Sequence, residues 1–266
     1  NLNILKLYTY RLKFKLRQIM KYFIGNWKMF GTPKSINILN KINSFYSKDK
    51  NQNKYKVIIT PPYTLIESYS KYFKKKSISI GSQNCYHKNL FSSNTAAISS
   101  YMIRSVGAKY SLVGHSDNRS EGDTDKMLKN KVIFALLNNL KVVFCIGENS
   151  FQKKKNRTLN VLKNQLTNVL ERKMNFKNIL VAYEPVWSIG TGKIPSINEL
   201  KKTTLHIKKV LKGIFKKKSP PVLYGGSVDG DNVKMFKEIP IIDGFLIGGA
   251  SKSSKKFIDI IKNYYR

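Results

Sequence analysis

Short apolar runs recur along this chain with polar, helix-length segments between them. They occupy residues 22–25, 55–59, 77–80, 110–113, 141–146, 179–183, 221–224 and 244–247. Each is strand-sized, and successive runs begin roughly 20 to 40 residues apart, enough for a helix and two loops. Several intervening segments carry helical periodicity; Leu159, Leu162, Leu166 and Leu170 keep one face at i, i+3, i+7 and i+11. Strands alternating with helices predict a parallel sheet. Eight such units in about 245 residues predict an α/β fold, a (β/α)8 barrel in one domain. A doubly wound open sheet is the alternative, but no G-x-G-x-x-G follows the first run. No Gly/Ser/Pro-rich linker interrupts the pattern, so residues 20–266 are assigned to one barrel.

In such a barrel, chemistry belongs where strands end and loops begin. The unusual residues gather there: Gly25-Asn26-Trp27-Lys28 after the first run, Gly114-His115-Ser116-Asp117 after the fourth, Glu184 after the sixth. Gly225-Gly226-Ser227 follow the seventh run and Gly248-Gly249-Ala250 the eighth. The most informative stretch is 183–193, Y-E-P-V-W-S-I-G-T-G-K. A buried strand ending on Glu184 and then Pro185 puts a carboxylate at the mouth of a site. The apolar residues that follow, closed by Gly190 and Gly192, read as a lid. Glycines after strands seven and eight let backbone N–H groups approach a phosphate, and Ser227 adds a hydroxyl donor. Lys28 would neutralise a phosphate or a developing oxyanion. Asn26 lies beside it, and neither residue has an evident core role. His115 stands apart from His87 and His206, which read as structural or surface groups, because its loop faces those of Lys28 and Glu184. A carboxylate base, an imidazole, a cation and a phosphate cradle suit proton abstraction beside a carbonyl in a small phosphorylated substrate. A closing lid would exclude water and limit loss of phosphate from the intermediate. No cluster has metal-ligand spacing, so side chains, and not a metal, are expected to supply the electrophile.

Charge complicates this picture. Lys and Arg number 49 against 15 Asp and Glu, a formal net charge of +34. One reading is a barrel that binds polyanions through a basic surface. The other is compositional: the chain is crowded with Lys, Asn, Ile, Tyr and Phe, and only seven of its basic residues are Arg, the better phosphate fork. The runs Lys74-Lys75-Lys76, Lys153-Lys154-Lys155 and Lys216-Lys217-Lys218 fall at expected helix ends, as solvated surface does. The second reading predicts no specific nucleic-acid partner. No apolar run approaches the roughly 18 residues of a membrane span, which predicts no membrane partner. Cys85 and Cys145 point to a reduced, intracellular protein. Residues 1–19 form a basic extension without acidic residues, expected to lie outside the core. An organellar targeting segment is one reading of them, though small and hydroxylated residues are few; vector-derived or upstream-translated sequence is another.

The motifs taken together resemble the triosephosphate isomerase family. They are F-I-G-N-W-K-M (23–29), Q-N-C-Y (83–86), L-V-G-H-S (112–116), C-I-G-E (145–148), the 183–193 stretch, Y-G-G-S-V (224–228) and L-I-G-G-A (246–250). The resemblance spans nearly everything beyond residue 21. It implies a TIM barrel that interconverts dihydroxyacetone phosphate and glyceraldehyde 3-phosphate in glycolysis and gluconeogenesis, as a cytoplasmic homodimer without cofactor. Asn26 and Lys28 would contact the substrate, His115 would be the electrophile and Glu184 the base. Gly190, Ser227, Gly248 and Gly249 would hold the phosphate. A glutamate base, a neutral histidine and a closing loop are the established pattern of that family, so the mechanism above is not independent of it.

Departures from the family pattern are specific. Where the family has S-E-R-R, this chain has Ser116-Asp117-Asn118-Arg119, so the acidic residue that would support Lys28 is a methylene shorter. Where the family has G-A-F-T-G-E, this chain has Ser92-Ser93-Asn94-Thr95-Ala96-Ala97. In the family that glutamate pairs with the first arginine across the dimer interface. Ala97 and Asn118 remove both partners, which avoids an unpaired buried charge. The dimer is expected to persist through Thr95 and its neighbours. Ser188 stands in the lid where the family has alanine.

Overall fold

The structure, a computed structural model, describes residues 20–266. The extension at residues 1–19 lies outside the described residues. Eight strands close into a barrel in chain order: β1 (Lys21–Asn26), β2 (Tyr55–Thr60), β3 (Ser79–Ser82), β4 (Tyr110–Val113), β5 (Lys141–Ile146), β6 (Ile179–Tyr183), β7 (Val222–Tyr224) and β8 (Gly244–Ile247). All neighbours are parallel, and β8 returns to β1 with Tyr22 opposite Gly244. Both faces of such a sheet are covered, which explains why its strands read as continuous apolar runs. In β5, Val143 and Cys145 face the barrel interior while Val142, Phe144 and Ile146 pack outward against helices. Helix Thr158–Val169 buries Leu162, Leu166 and Val169, while Leu170 closes it from one residue past its end.

Four strands differ in their bounds from the sequence expectation, β2 only by running one residue further, to Thr60. β3 runs from Ser79 to Ser82 instead of 77–80. Its pairing begins at Ile58 opposite Ser79, and the Ser77 N–H is taken by Asn43 Oδ1 at 3.2 Å. Gly81 lies inside the strand: a Cβ there would stand 2.9 Å from the Tyr110 Cβ and carbonyl. β7 begins one residue late: Pro221 has no N–H to give to the ladder, and the Val222 N–H goes to the Asp243 side chain, 2.8 Å from its Oδ2. β1 continues through Asn26, so Asn26 belongs to the strand and not to the loop after it.

The place of Asn26 within β1 matters for the site. Successive strand residues face alternate sides. Ile24, Leu180, Ala182, Leu223 and Leu246 all face the interior. Counting on by two brings Asn26, Glu184, Gly225 and Gly248 to the inner rim at the C-terminal ends of their strands. The same periodicity that builds the core therefore delivers the polar groups of the mouth.

Candidate active site

The mouth holds a cavity of about 460 Å³. Asn26, Lys28, His115, Glu184, Gly190, Ser227, Gly248 and Gly249 all line it, so these eight sequence-predicted residues come from the ends of five strands to one place. Glu184 is 3% exposed, and its Oε1 stands 3.3 Å from His115 Nε2. Its Oε2 is buried with no hydrogen-bond partner among the described residues. Burial pushes the carboxyl pKa above the ordinary range, while the neighbouring His115, the Cys145 thiol and Lys28 pull it back. Gly225 is glycine for this side chain's sake, since a Cβ there would stand 2.6 Å from Glu184 Cγ. Gly248 and Gly249, by contrast, have nothing within 4 Å of a built Cβ and face open space, as room for a ligand requires. Cys145 lies beneath the carboxylate, and burial with the Glu184 charge pushes its thiol pKa well up.

His115 caps the helix Ser116–Ser120, and its Nδ1 accepts the Asp117 N–H at 3.1 Å. A nitrogen that accepts cannot carry the proton, so the proton of this tautomer sits on Nε2, facing Glu184 and the cavity. Asp117 does not line the cavity. Its Oδ2 lies 3.2 Å from Lys28 Nζ and 3.5 Å from His115 Nδ1. The shorter side chain therefore still reaches Lys28. Both partners are partly exposed, at 34% and 57%, so the pair orients the lysine more than it stabilises the fold. Ser116 lies outside the main cavity, in a smaller one of about 290 Å³ with Arg119 and Gln165. Arg119 braces the His115 loop, donating from Nε to the Gly114 carbonyl at 2.8 Å and from Nη2 to the Cys145 carbonyl at 3.0 Å.

Lys28 has φ +54, a left-handed backbone that a non-glycine residue adopts at a cost. Two contacts hold it there: its N–H donates to Asn26 Oδ1 at 3.0 Å, and its carbonyl accepts from Gln83 Nε2 at 2.8 Å. Gln83 belongs to the Q-N-C-Y motif, but nothing in its spacing indicated that role. The neighbouring Asn84 accepts from the buried Lys131, which pairs with Asp123 at 2.7 Å. Lys256, at the start of the final helix Ser254–Tyr265, also lines the cavity, and nothing in its spacing marks it among the many lysines.

The lid begins with a turn at Val186–Ser188 and contains Gly190 and Gly192 at φ +69 and +74. Glu148 of the C-I-G-E motif anchors its root, accepting from Trp187 Nε1 at 2.8 Å and the Tyr183 hydroxyl at 3.3 Å. Gly192 N–H donates to Ser227 Oγ at 3.3 Å, and Ser227 Oγ donates to the Ser188 carbonyl at 2.8 Å. Ser188 is fully buried. Its hydroxyl donates to the Lys193 carbonyl at 2.5 Å and meets the Tyr224 hydroxyl at 3.2 Å. The hydroxyl that replaces the family's alanine therefore joins both ends of the lid to the end of β7.

A closed barrel with a buried carboxylate, an Nε2–H imidazole and a lysine around one cavity defines a (β/α)8-barrel enzyme built for acid–base chemistry. The comparisons with known proteins are specific. A family model described as Triosephosphate isomerase matches residues 21–264. The triosephosphate isomerase of Saccharomyces cerevisiae is 37% identical over 248 residues, covering 91% of this chain and 98% of the relative. That of Thermodesulfovibrio yellowstonii is 34% identical over 245 residues, with the same coverage of 91% and 98%. The crystal structure of triosephosphate isomerase from Bartonella henselae superposes with a TM-score of 0.84 at 30% identity, covering 92% of this chain and 99% of that one. The chain belongs to the triosephosphate isomerase family and is an isomerase by that membership.

Proposed function

We propose that this enzyme interconverts dihydroxyacetone phosphate and D-glyceraldehyde 3-phosphate through an enediolate, with residues 20–266 as the catalytic unit. The observation that carries the residue roles is the Glu184 carboxylate, buried at the cavity with Oε1 3.3 Å from His115 Nε2 and Oε2 unpaired among the described residues. Glu184 takes the proton from the carbon beside the carbonyl and returns it to the adjacent carbon. His115 donates its Nε2–H to the developing oxyanion, and Lys28 stabilises the same negative charge. Asn26 holds the Lys28 backbone and faces the substrate. Gly190, Ser227, Gly248 and Gly249 receive the phosphate, and the lid keeps water away while the enediolate exists. Asp117 positions Lys28, and Ser116 supports the helix that His115 caps. An assay coupling glyceraldehyde 3-phosphate formation to a nicotinamide-dependent dehydrogenase tests this directly. Turnover that collapses in Glu184→Gln is expected; full activity in that variant overturns the base assignment.

A homodimer is part of this reading. Met29 is 98% exposed beside Lys28, and Phe91, at 75%, packs only edge-on against Tyr101, which is itself 41% exposed. Apolar side chains so exposed in the loops around the mouth suit burial against a second copy. Ala97 and Asn118 leave that contact without the family's ion pair. Light scattering at micromolar concentration is expected to give a dimer, and a monomer refutes it. Among the described residues no helix is long and apolar enough to cross a membrane; a cytoplasmic location is proposed from the family alone.

A further inference from the structure

The end of the barrel away from the mouth carries a second charged cavity, of about 420 Å³. Four cations from separate places in the fold line it: Lys56 in β2, Arg104 on the helix Ser100–Ser105, Lys109 just before β4, and Lys141 at the start of β5. No carboxylate lines it, and among the described residues none of the four forms an ion pair. Other cations at the same end are differently placed. Lys21 donates to the carbonyls of Ile242 and Pro240, and Lys208 pairs with Asp243 at 2.8 Å; of the four, Arg104 gives one N–H to the Ala108 carbonyl at 3.3 Å and keeps its charge unpaired. The lysines in the cavity crowd one another: burial first, then the charges of Lys56 and Lys109, lower the Lys141 pKa. Ser77, Ser79 and Asn139 add neutral polar groups to the wall, and Tyr46 and Tyr110 provide apolar surface beneath.

An adjoining cavity of about 500 Å³ shares Ser79, Arg104 and Lys109 with the first and adds Lys71, Lys74 and Ser70. Ser70 is 8% exposed, and its hydroxyl has no hydrogen-bond partner among the described residues. The one acidic residue here, Glu67, is already paired with Lys71. The two volumes lie within the range of small-molecule sites. Mutual repulsion in an open, acid-free cavity is relieved by an anion carrying several charges. Residues 1–19 of this chain contain no acidic side chain and do not match that need.

We propose that this cavity pair, with Lys56, Arg104, Lys109 and Lys141 at its centre, is a second anion site for a small linear polyphosphate, separate from the catalytic phosphate cradle. The first cavity takes one phosphate group among the four cations. The second takes the next, with the Ser70 hydroxyl as a donor. The site is a local arrangement and not the diffuse field of a basic protein.

The test is a calorimetric titration of the full chain with inorganic tripolyphosphate, comparing two variants of equal charge loss. Lys56→Gln with Lys141→Gln removes the centre of the site. Lys217→Gln with Lys218→Gln removes two lysines from the run after the helix Ile197–Ile214. Isomerase turnover serves as the fold check for both. The first variant is expected to weaken tripolyphosphate at least tenfold with turnover retained, and the second to change it less than twofold. Equal weakening in both variants overturns the proposal in favour of a diffuse field. So does binding unchanged in both, which assigns tripolyphosphate to the catalytic cradle. A single-stranded oligonucleotide that outcompetes tripolyphosphate, with its affinity lost in the first variant alone, overturns the small-molecule assignment in favour of nucleic acid. Should the first variant lose its turnover, Arg104→Gln with Lys109→Gln, both exposed, is the replacement with the same expected tenfold loss.

Discussion

The two ends of the barrel set their lysines in opposite circumstances. At the mouth, Lys28 is fixed by its backbone bonds to Asn26 and Gln83 and by Asp117 at 3.2 Å. At the other end, Lys56, Arg104, Lys109 and Lys141 share a cavity with no carboxylate. A paired cation can be aimed without being cancelled: Asp117 is mostly exposed, so solvent screens the pair while its geometry persists. An unpaired group of cations aims at nothing in the protein and awaits a counter-charge. One formal net charge of +34 thus conceals two arrangements, a lysine held in an ion pair and a group of cations without one.

Variants at the mouth should change turnover steeply and variants at the far end hardly at all. The largest effect belongs to Glu184→Gln, with kcat lower by about 10³-fold, within the usual span for a general base. The same variant sharpens the role of burial. The Glu184 pKa is raised in the folded chain, so the group contributes stability that is fully present below its unfolded pKa and lost as pH rises through the folded value. In the window between those two values, thermal stability of the parent chain should fall with rising pH, and Glu184→Gln should lack that fall. Parallel melting profiles across the window mean that the carboxyl is not raised.

Lys28→Met comes next, with kcat/KM lower by about 10²-fold, the scale of one electrostatic contact to a developing oxyanion. Asp117→Asn should reproduce only a small part of that loss. If the two losses match, the ion pair and not the lysine charge is what matters. Ser188→Ala is the smallest of the mouth variants: one hydrogen bond of about 1 kcal/mol corresponds to roughly fivefold. Its diagnostic is the fraction of turnovers that lose inorganic phosphate, which should rise with the weakened lid. Tyr224→Phe should raise the same fraction, and the double variant should add little. Independent, multiplying losses break the idea of one latch through both hydroxyls.

Much of the mouth is legible because the residues proposed for catalysis sit on strand ends, and strand ends follow the hydrophobic pattern. Glu184 follows the buried strand β6 directly, and His115 and Lys28 lie within two residues of theirs. The supports were less visible. Gln83 and Glu148 sit inside recognisable motifs, yet their partners, the Lys28 carbonyl and Trp187 Nε1, are distant in sequence. Lys131 looks like one lysine among dozens until the fold buries it beside Asp123. The bounds of β3 follow from its pairing with β2 and β4, and a glycine fits inside that strand because Tyr110 and Thr60 approach it closely, contacts that no local pattern shows.

By itself the sequence determined the alternation of strand and helix, the eightfold count, the inward parity that carries Ile24 on to Asn26 and Ala182 on to Glu184, and the set of residues gathered at the mouth. Those are local properties, set by side-chain period and backbone permissiveness. Only the tertiary structure decided which cation meets which anion, that Asp117 reaches Lys28 despite its missing methylene, that Ser188 joins the two ends of the lid, and that four lysines and arginines converge where no carboxylate follows. Such pairings depend on distances between segments far apart in the chain, and barrel closure sets those distances.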